Sequence, residues 1–267
     1  MAAECYECPM DSSEHDAVVR RSFERQVGLF AGDDSPFARR PASPLAWLEP
    51  LDGDMIVLDV ACGAAHAAEQ AAPHVRQVVG VDLTPSLLDL GRDRLHAAGI
   101  DNVLLQEGNA ADLAFVDASF DLVICRGALH HFPHPDQAIA EMARVCRPGG
   151  RVVVSDMVAP SPDERAAFDE VHRQLDPSHA GVLLEGEIAD LLCSTVGPLS
   201  YGETTEPVTL PVHHIMTDVA DRQAVMSALH TELDGGPPTG FDPVVDGDDV
   251  HVSFTSTVVH ATRDSHR

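Results

Sequence analysis

Aromatic residues are scarce, at 4% of 267 residues, so any core must be filled by aliphatic side chains and alanine. A hydrophobic share of 44% is enough to do that. Basic residues are scarce too: 17 Lys and Arg face 43 Asp and Glu, a formal net charge of −26. Such a surface repels phosphate backbones and anionic lipid head groups, and no basic patch exists to release counterions, which argues against a nucleic-acid partner. No apolar run approaches the roughly 20 residues of a membrane span. The first residues, Met1 to Cys5, are acidic and lack an apolar secretory core, so the expected setting is cytoplasmic, without a membrane partner. The six cysteines are scattered rather than spaced as a disulfide framework. Cys5 and Cys8 form a C-x-x-C, but no second ligand pair follows for zinc and no βαβ unit adjoins it for redox work, so they read as part of a flexible tail.

What is present is an alternation. Residues 16–30 carry Val18, Val19, Phe23, Val27 and Phe30 at helical spacing, and a Pro-rich loop over 31–44 leads to a short helix with Leu45, Trp47 and Leu48. From Met55 onward, buried-type strands at Met55–Val60, Val75–Val81, Val103–Gln106, Phe120–Cys125 and Arg151–Ser155 alternate with helices at Ala64–Ala72, Pro85–Ala98 and Asp136–Cys146. Thr84 followed by Pro85 marks a hydroxyl-capped helix start, Gly99 a helix stop, and Arg147–Gly150 a turn. This order predicts an α/β, doubly wound, mostly parallel sheet. After Asp156 the pattern loosens into helices within Pro160–Ser178, Gly186–Thr195 and Met216–Leu233 and a loop over Asp234–Gly247. Tyr201–Leu210 and His251–Ala261 alternate as strands of an antiparallel hairpin at the sheet edge. Residues 1–50 read as an N-terminal helical cap segment and 51–267 as the main domain, with cap insertions near 157–198 and 211–250.

The segment from Val57 to His66 ends a buried strand in an acid, Asp59, and passes through small residues into a helix. In open α/β sheets the ligand crevice lies at the carboxyl ends of the strands. There an acid can hold an ammonium, and small residues let the backbone approach a ligand. The next strand ends in Asp82, placed to accept from ribose hydroxyls. Each half has a plainer reading: tight packing for the loop, a residue ahead of the Thr84 cap for Asp82. Together they point to a nucleoside cofactor. G-x-G-x-x-G is missing, and an acid in the loop would repel a pyrophosphate, which disfavours a dinucleotide. S-adenosylmethionine has a ribose and an ammonium and no phosphate.

Several stretches carry a specific resemblance: Val57–Ala68, Val79–Leu90, Gln106–Phe115 and Phe120–Asp156, the last containing Arg126-Gly127-Ala128-Leu129-His130-His131-Phe132. The chain resembles the class I S-adenosylmethionine-dependent methyltransferases, in the group that includes the ubiquinone/menaquinone-biosynthesis enzymes. The resemblance implies a Rossmann-like sheet of seven strands, the last antiparallel, with a helical cap, and S-adenosyl-L-methionine as cofactor. It implies that Asp59 with Ala61, Cys62 and Gly63 holds the methionine part, that Asp82 holds the ribose, and that Leu83 lies against the adenine. Asn109 and Ala110 would meet the adenine edge, and the backbone at Cys125 and Arg126 the amino-acid moiety. Three positions depart from the family pattern. Ala61 and Ala65 replace loop glycines, and the Ala65 methyl is expected to crowd the cofactor. Asn109 replaces an acid, though its carbonyl can still accept.

His130 and His131 follow the fourth strand at the rim where cofactor and acceptor should meet, and either can serve as a base near neutral pH. The alternative is that both are packing histidines. Adjacent residues leaving a strand point oppositely, so one of the two should line the site. Arg126 reads as an ion-pair partner of Asp156 or as a handle for an anionic group. His172, Asp176 and His179 suggest a metal, but Pro177 breaks the helix that would align them, so no metal is assigned. The expected function is methyl transfer to a small-molecule acceptor by in-line displacement. Two further readings stand beside it: a methyltransferase-like enzyme that keeps the cofactor structurally while catalysing a cyclisation or rearrangement, and a non-catalytic cofactor-binding protein. A homodimer is left open.

Overall fold

The computed structural model describes residues 12–31 and 46–265. The Cys5–Cys8 pair, Leu45 and the expected loop over 32–44 lie outside the described residues. Trp47 and Leu48 sit in a turn rather than a helix.

Five parallel strands form the centre: β1 (Ile56–Val60), β2 (Gln77–Asp82), β3 (Val103–Glu107), β4 (Phe120–Arg126) and β5 (Cys146–Met157). Four later strands are β6 (Leu199–Thr204), β7 (Val208–Pro211), β8 (Val244–Asp246) and β9 (Asp249–Phe254), followed by β10 (Ser256–Thr262). The main sheet has seven strands in the order β3-β2-β1-β4-β5-β10-β6, and β10 runs antiparallel to both neighbours. Strand order reverses between β1 and β4, so a crevice opens at the carboxyl ends there. The fold is the expected doubly wound, Rossmann-like sheet of seven strands.

Alternation decides the two faces. Leu58, Val60, Val123, Val152 and Val154 face one side, where α4 (Pro135–Val145) and α6 (Glu185–Thr195) add Ile139, Met142, Ile188 and Leu192. Val57, Leu122, Ile124 and Val153 face the other, against Ala68 and Ala71 of α2 (His66–Ala71) and Leu48. Each fully buried Leu, Ile or Met contributes roughly 1.5–3 kcal/mol. Helix α3 (Pro85–Ala97) starts at Pro85 as read, but Thr84 gives no side-chain cap; its amide donates to Asp82 Oδ1 instead, at 2.8 Å. It stops where Gly99 takes a φ of 67°, with the Gly99 and Ile100 amides returning to the His96 and Leu95 carbonyls. The Arg147–Gly150 turn is absorbed into β5, where pairing with β4 slips between Phe120 and Leu122.

The second half departs further from the sequence reading. Each expected hairpin strand is divided. Tyr201–Leu210 becomes β6 and β7, and His251–Ala261 becomes β9 and β10. β6 and β10 complete the main sheet, while β7, β9 and β8 form a separate three-stranded sheet. β8 lies in what reads as a loop. Against the small sheet pack α5 (Arg165–Leu175) and α7 (Arg222–Leu233), through Phe168, Val171, Leu175, Val225, Leu229, Phe241 and Val252. Helix α6 belongs to the main core rather than to a cap. Finally, α1 (Ser12–Ala31) lies on α3 through Phe23, Val27, Phe30, Ala64 and Leu87. Its buried residues are His15, Ser22, Gln26 and Phe30, so apart from Phe30 the buried positions are polar, and the valines are only partly covered.

Candidate active site

The loop after β1 is bent by three left-handed residues, Ala61 (φ 55°), Gly63 (φ 53°) and Ala65 (φ 63°). For an alanine this conformation costs about 1–2 kcal/mol. The bend turns the Gly63 amide onto Asp82 Oδ2, at 2.7 Å, so one buried carboxylate holds the loop and the start of α3 together. Burial raises Asp82 above the usual carboxylate range, against the pull of the Thr84 and Gly63 amides. Asp59 is 2% exposed, and among the described residues its Oδ2 has no hydrogen-bond partner. Burial pushes its carboxyl up to about 7, although the Ala68 amide and Arg126 lower it. A buried carboxylate oxygen left without a partner at a strand end is a fitting site for a ligand ammonium.

These residues line a cavity of about 410 Å3. Asp59, Ala61, Cys62, Gly63, Asp82, Leu83, Asn109, Ala110, Arg126, His130 and His131 all face it. Cys125 does not: its side chain is fully buried in the main core, which leaves only backbone to approach a ligand there. Ala65 is also absent from the wall. Its methyl lies in the core against Gly91, where an added Cβ would come within 3.2 Å of it, so the expected crowding of a cofactor does not arise. Arg126 makes no ion pair with Asp156. Its guanidinium lies 5.9 Å over the Trp47 ring, on the Asp59 side of the cavity.

Asp156 pairs instead with His130. Nδ1 of His130 lies 2.6 Å from Asp156 Oδ1 in a buried contact, and the Ala128 and Leu129 amides donate to Oδ2. The carboxylate fixes the proton on Nδ1. His130 lines the cavity, and among the described residues none hydrogen-bonds its Nε2. Burial pulls His130 down, but Asp156 more than offsets this and leaves it above the usual imidazole range. His131 also lines the cavity, contrary to the expectation that only one of the pair would. Leu129–His131 form a single 3-10 turn rather than extended strand, so the two side chains do not alternate. Burial and the neighbouring His130 push His131 down to about 4.

In or behind this wall stand His15, Ser22, Gln26 and Ser178, which sequence reasoning missed, together with the Asp176, His172 and His179 read as possible metal ligands. His15 of α1 donates from Nε2 to the His131 carbonyl, at 2.9 Å. Asp176 accepts from Ser22 Oγ (2.8 Å), Ser178 Oγ (2.6 Å) and Gln26 Nε2 (3.1 Å), tying α1 to the segment after α5. His179 contacts Asp169 at 2.7 Å and stacks on His172, with ring centroids 4.1 Å apart. With Asp176 and Asp169 so engaged, His172, Asp176 and His179 do not converge, and among the described residues no group of three or more His, Cys, Asp or Glu is arranged to hold a metal. Met157, Leu175, Leu210, Ile215 and Phe254 supply the apolar part of the lining.

Residues 58–154 match the family described as a methyltransferase domain. Over 124 residues the chain is 38% identical to the uncharacterized methyltransferase YcgJ of Bacillus subtilis, covering 46% of this chain and 49% of that protein. Over 126 residues it is 36% identical to a demethylmenaquinone methyltransferase of Listeria welshimeri, covering 45% and 53%. The chain thus spans about half the length of these curated relatives. Among solved structures, a candidate methyltransferase of Bacillus halodurans superposes with a TM-score of 0.76 at 27% identity, covering 88% of this chain and all of that one. The YcgJ structure superposes at 0.71 and 24% identity, covering 81% and 94%, a likeness of fold. With the sheet order and the strand-end acids, these matches show that the chain carries a methyltransferase domain over residues 58–154 and resembles the class I S-adenosylmethionine-dependent methyltransferases.

Proposed function

We propose that the chain transfers the methyl group of S-adenosylmethionine to a small, largely apolar or phenolic acceptor in the cytoplasm. One observation carries the reading: the buried His130–Asp156 pair, 2.6 Å apart, faces the same cavity as the unpartnered carboxylate oxygen of Asp59. The residues fit the cofactor. Asp59 would hold its ammonium, Asp82 its ribose hydroxyls, and Leu83 with Gly108–Ala110 its adenine. When bound, S-adenosylmethionine supplies a methyl group activated by a sulfonium.

His130 holds a lone pair on Nε2 because Asp156 keeps the proton on Nδ1. It can therefore accept the proton of an acceptor hydroxyl, and Asp156 stabilises the imidazolium that results. His131 stays neutral near pH 7 and is too weak a base for that step. Met157, Leu175, Leu210, Ile215 and Phe254 exclude water and align an apolar molecule for in-line displacement. The demethylmenaquinone methyltransferase of Listeria welshimeri, by its name, also works on a small molecule.

The test is transfer of labelled methyl to a panel of phenols and hydroquinones, with cofactor binding measured in parallel. His130→Ala should bind the cofactor normally and lose on the order of 10²–10⁴ in rate. A His130→Ala protein that binds normally and transfers at the parental rate contradicts the base assignment.

A further inference from the structure

The acids at the carboxyl ends of the strands define a line. Asp59 ends on β1, Asp82 on β2 beside it, and Gly108–Ala110 follow β3 beside that, in sheet order. Neighbouring strands lie about 4.8 Å apart, so roughly 10 Å separates the ammonium site from the end of β3. A nucleoside with an amino-acid tail, laid along this line with its ammonium on Asp59 and its ribose on Asp82, places its base at Asn109.

Asn109 offers that base little. Its Oδ1 accepts from the Ala111 amide at 2.8 Å, and its Nδ2 donates to Asp16 Oδ2 at 2.7 Å. The orientation of the amide is fixed, because flipping it would set NH2 against the Ala111 N–H and oxygen against a carboxylate. Asp16 also lines the cavity, and no described residue hydrogen-bonds its Oδ1. Burial, the largest influence on Asp16, raises its carboxyl above the usual range. A partly buried carboxylate with an open oxygen at the base end of the cavity matches a donor of the purine amino type.

We propose that Asp16, carried on α1, is the carboxylate that receives the amino group of the cofactor's adenine, with Asn109 as its positioning residue. The base would then be read by an element outside the sheet, held at this end also by the Arg20–Glu107 ion pair at 2.6 Å. This inference rests on the cofactor reading above.

The test is calorimetric titration of the full chain with S-adenosylhomocysteine and with its inosine analogue, in which an oxo group replaces the amino group. The parent should prefer the adenine form by about tenfold or more, the scale of one hydrogen bond to a charged group. Asp16→Asn should lose most of that preference, because a carboxamide can also donate to the oxo group. Asn109→Ala should reduce the preference while Arg25→Ala, which loosens α1 at its contact with the Asp218 carbonyl, should keep it. Thermal melts of each variant establish that it is folded. Equal weakening of both ligands in Asp16→Asn, with the preference intact, overturns this assignment alone. A parent that binds neither ligand overturns the cofactor reading and this inference with it.

Discussion

The charge state of two buried carboxylates decides much of this site's behaviour. Asp59 titrates near 7 when folded and near 3.9 when unfolded, so the folded chain binds the extra proton between those values. Its contribution to stability is therefore lost as pH rises from about 4 to 7. Asp59→Asn should melt above the parent at pH 8, by roughly 2–4 °C per kcal/mol, and the gain should shrink toward zero near pH 4. The same variant should bind S-adenosylhomocysteine more weakly, having lost the charge that faces the ammonium. Scanning calorimetry at both pH values checks the first expectation and titration the second. Asp156 acts in the opposite direction. Pairing with His130 overcomes the effect of burial and holds Asp156 below the usual carboxylate range, while raising His130. Turnover needs neutral His130, so rate should fall as pH drops through a value above the ordinary imidazole range near 6.5. Asp156→Asn should move that inflection to lower pH and slow transfer at neutral pH. An unmoved inflection in a folded Asp156→Asn protein would show that another group controls the profile.

Helix α1 and the segment after α5 depend on one another. Asp176 gathers Ser22, Gln26 and Ser178. Burial raises its carboxyl, but His131 and then the Ser178 and Gln26 hydrogen bonds hold it well below the usual range. Asp176→Asn removes one set of acceptors and should cost about 2 kcal/mol. Hydrogen exchange should show α1 opening while β1, β4 and β5 stay protected; uniform exchange across chain and sheet would contradict this coupling. The contrast explains what the sequence revealed and what it hid. The strands that carry Asp59 and Asp82 are short, mostly apolar runs with an acid at or next to their carboxyl end, and such runs are legible one by one. Helix α1 is legible as a helix from Val18, Val19, Phe23, Val27 and Phe30 at helical spacing, but apart from Phe30 these apolar positions do not give its buried face. The structure buries His15, Ser22 and Gln26 beside Phe30, a choice set for Ser22 and Gln26 by Asp176 and for His15 by the His131 carbonyl, all more than 100 residues away in sequence. Asp16 carried no local signal for the same reason: its partner is Asn109. Tyr201–Leu210 alternates only loosely, with Pro207 falling between β6 and β7, and nothing in that local pattern states that the ribbon passes from one sheet to another.

At the scale of the whole molecule, an acidic surface surrounds a cavity whose working groups come from three consecutive strand ends, a 3-10 turn and α1. No helix among the described residues is long and apolar enough to cross a membrane. The formal charge of −26 disfavours binding to nucleic acid through phosphates, in keeping with the small-molecule acceptor proposed above. Everything proposed for that acceptor depends on the cofactor lying along Asp59, Asp82 and the end of β3. The most direct test is calorimetric titration of the intact chain with S-adenosylmethionine, alongside Asp82→Asn, which keeps one carboxyl-like oxygen and loses the charge. The parent should bind at a single site with a dissociation constant on the order of micromolar, about −8 kcal/mol, and Asp82→Asn about tenfold or more weaker. No saturable binding by the folded parent, or equal affinity in Asp82→Asn, would contradict the account.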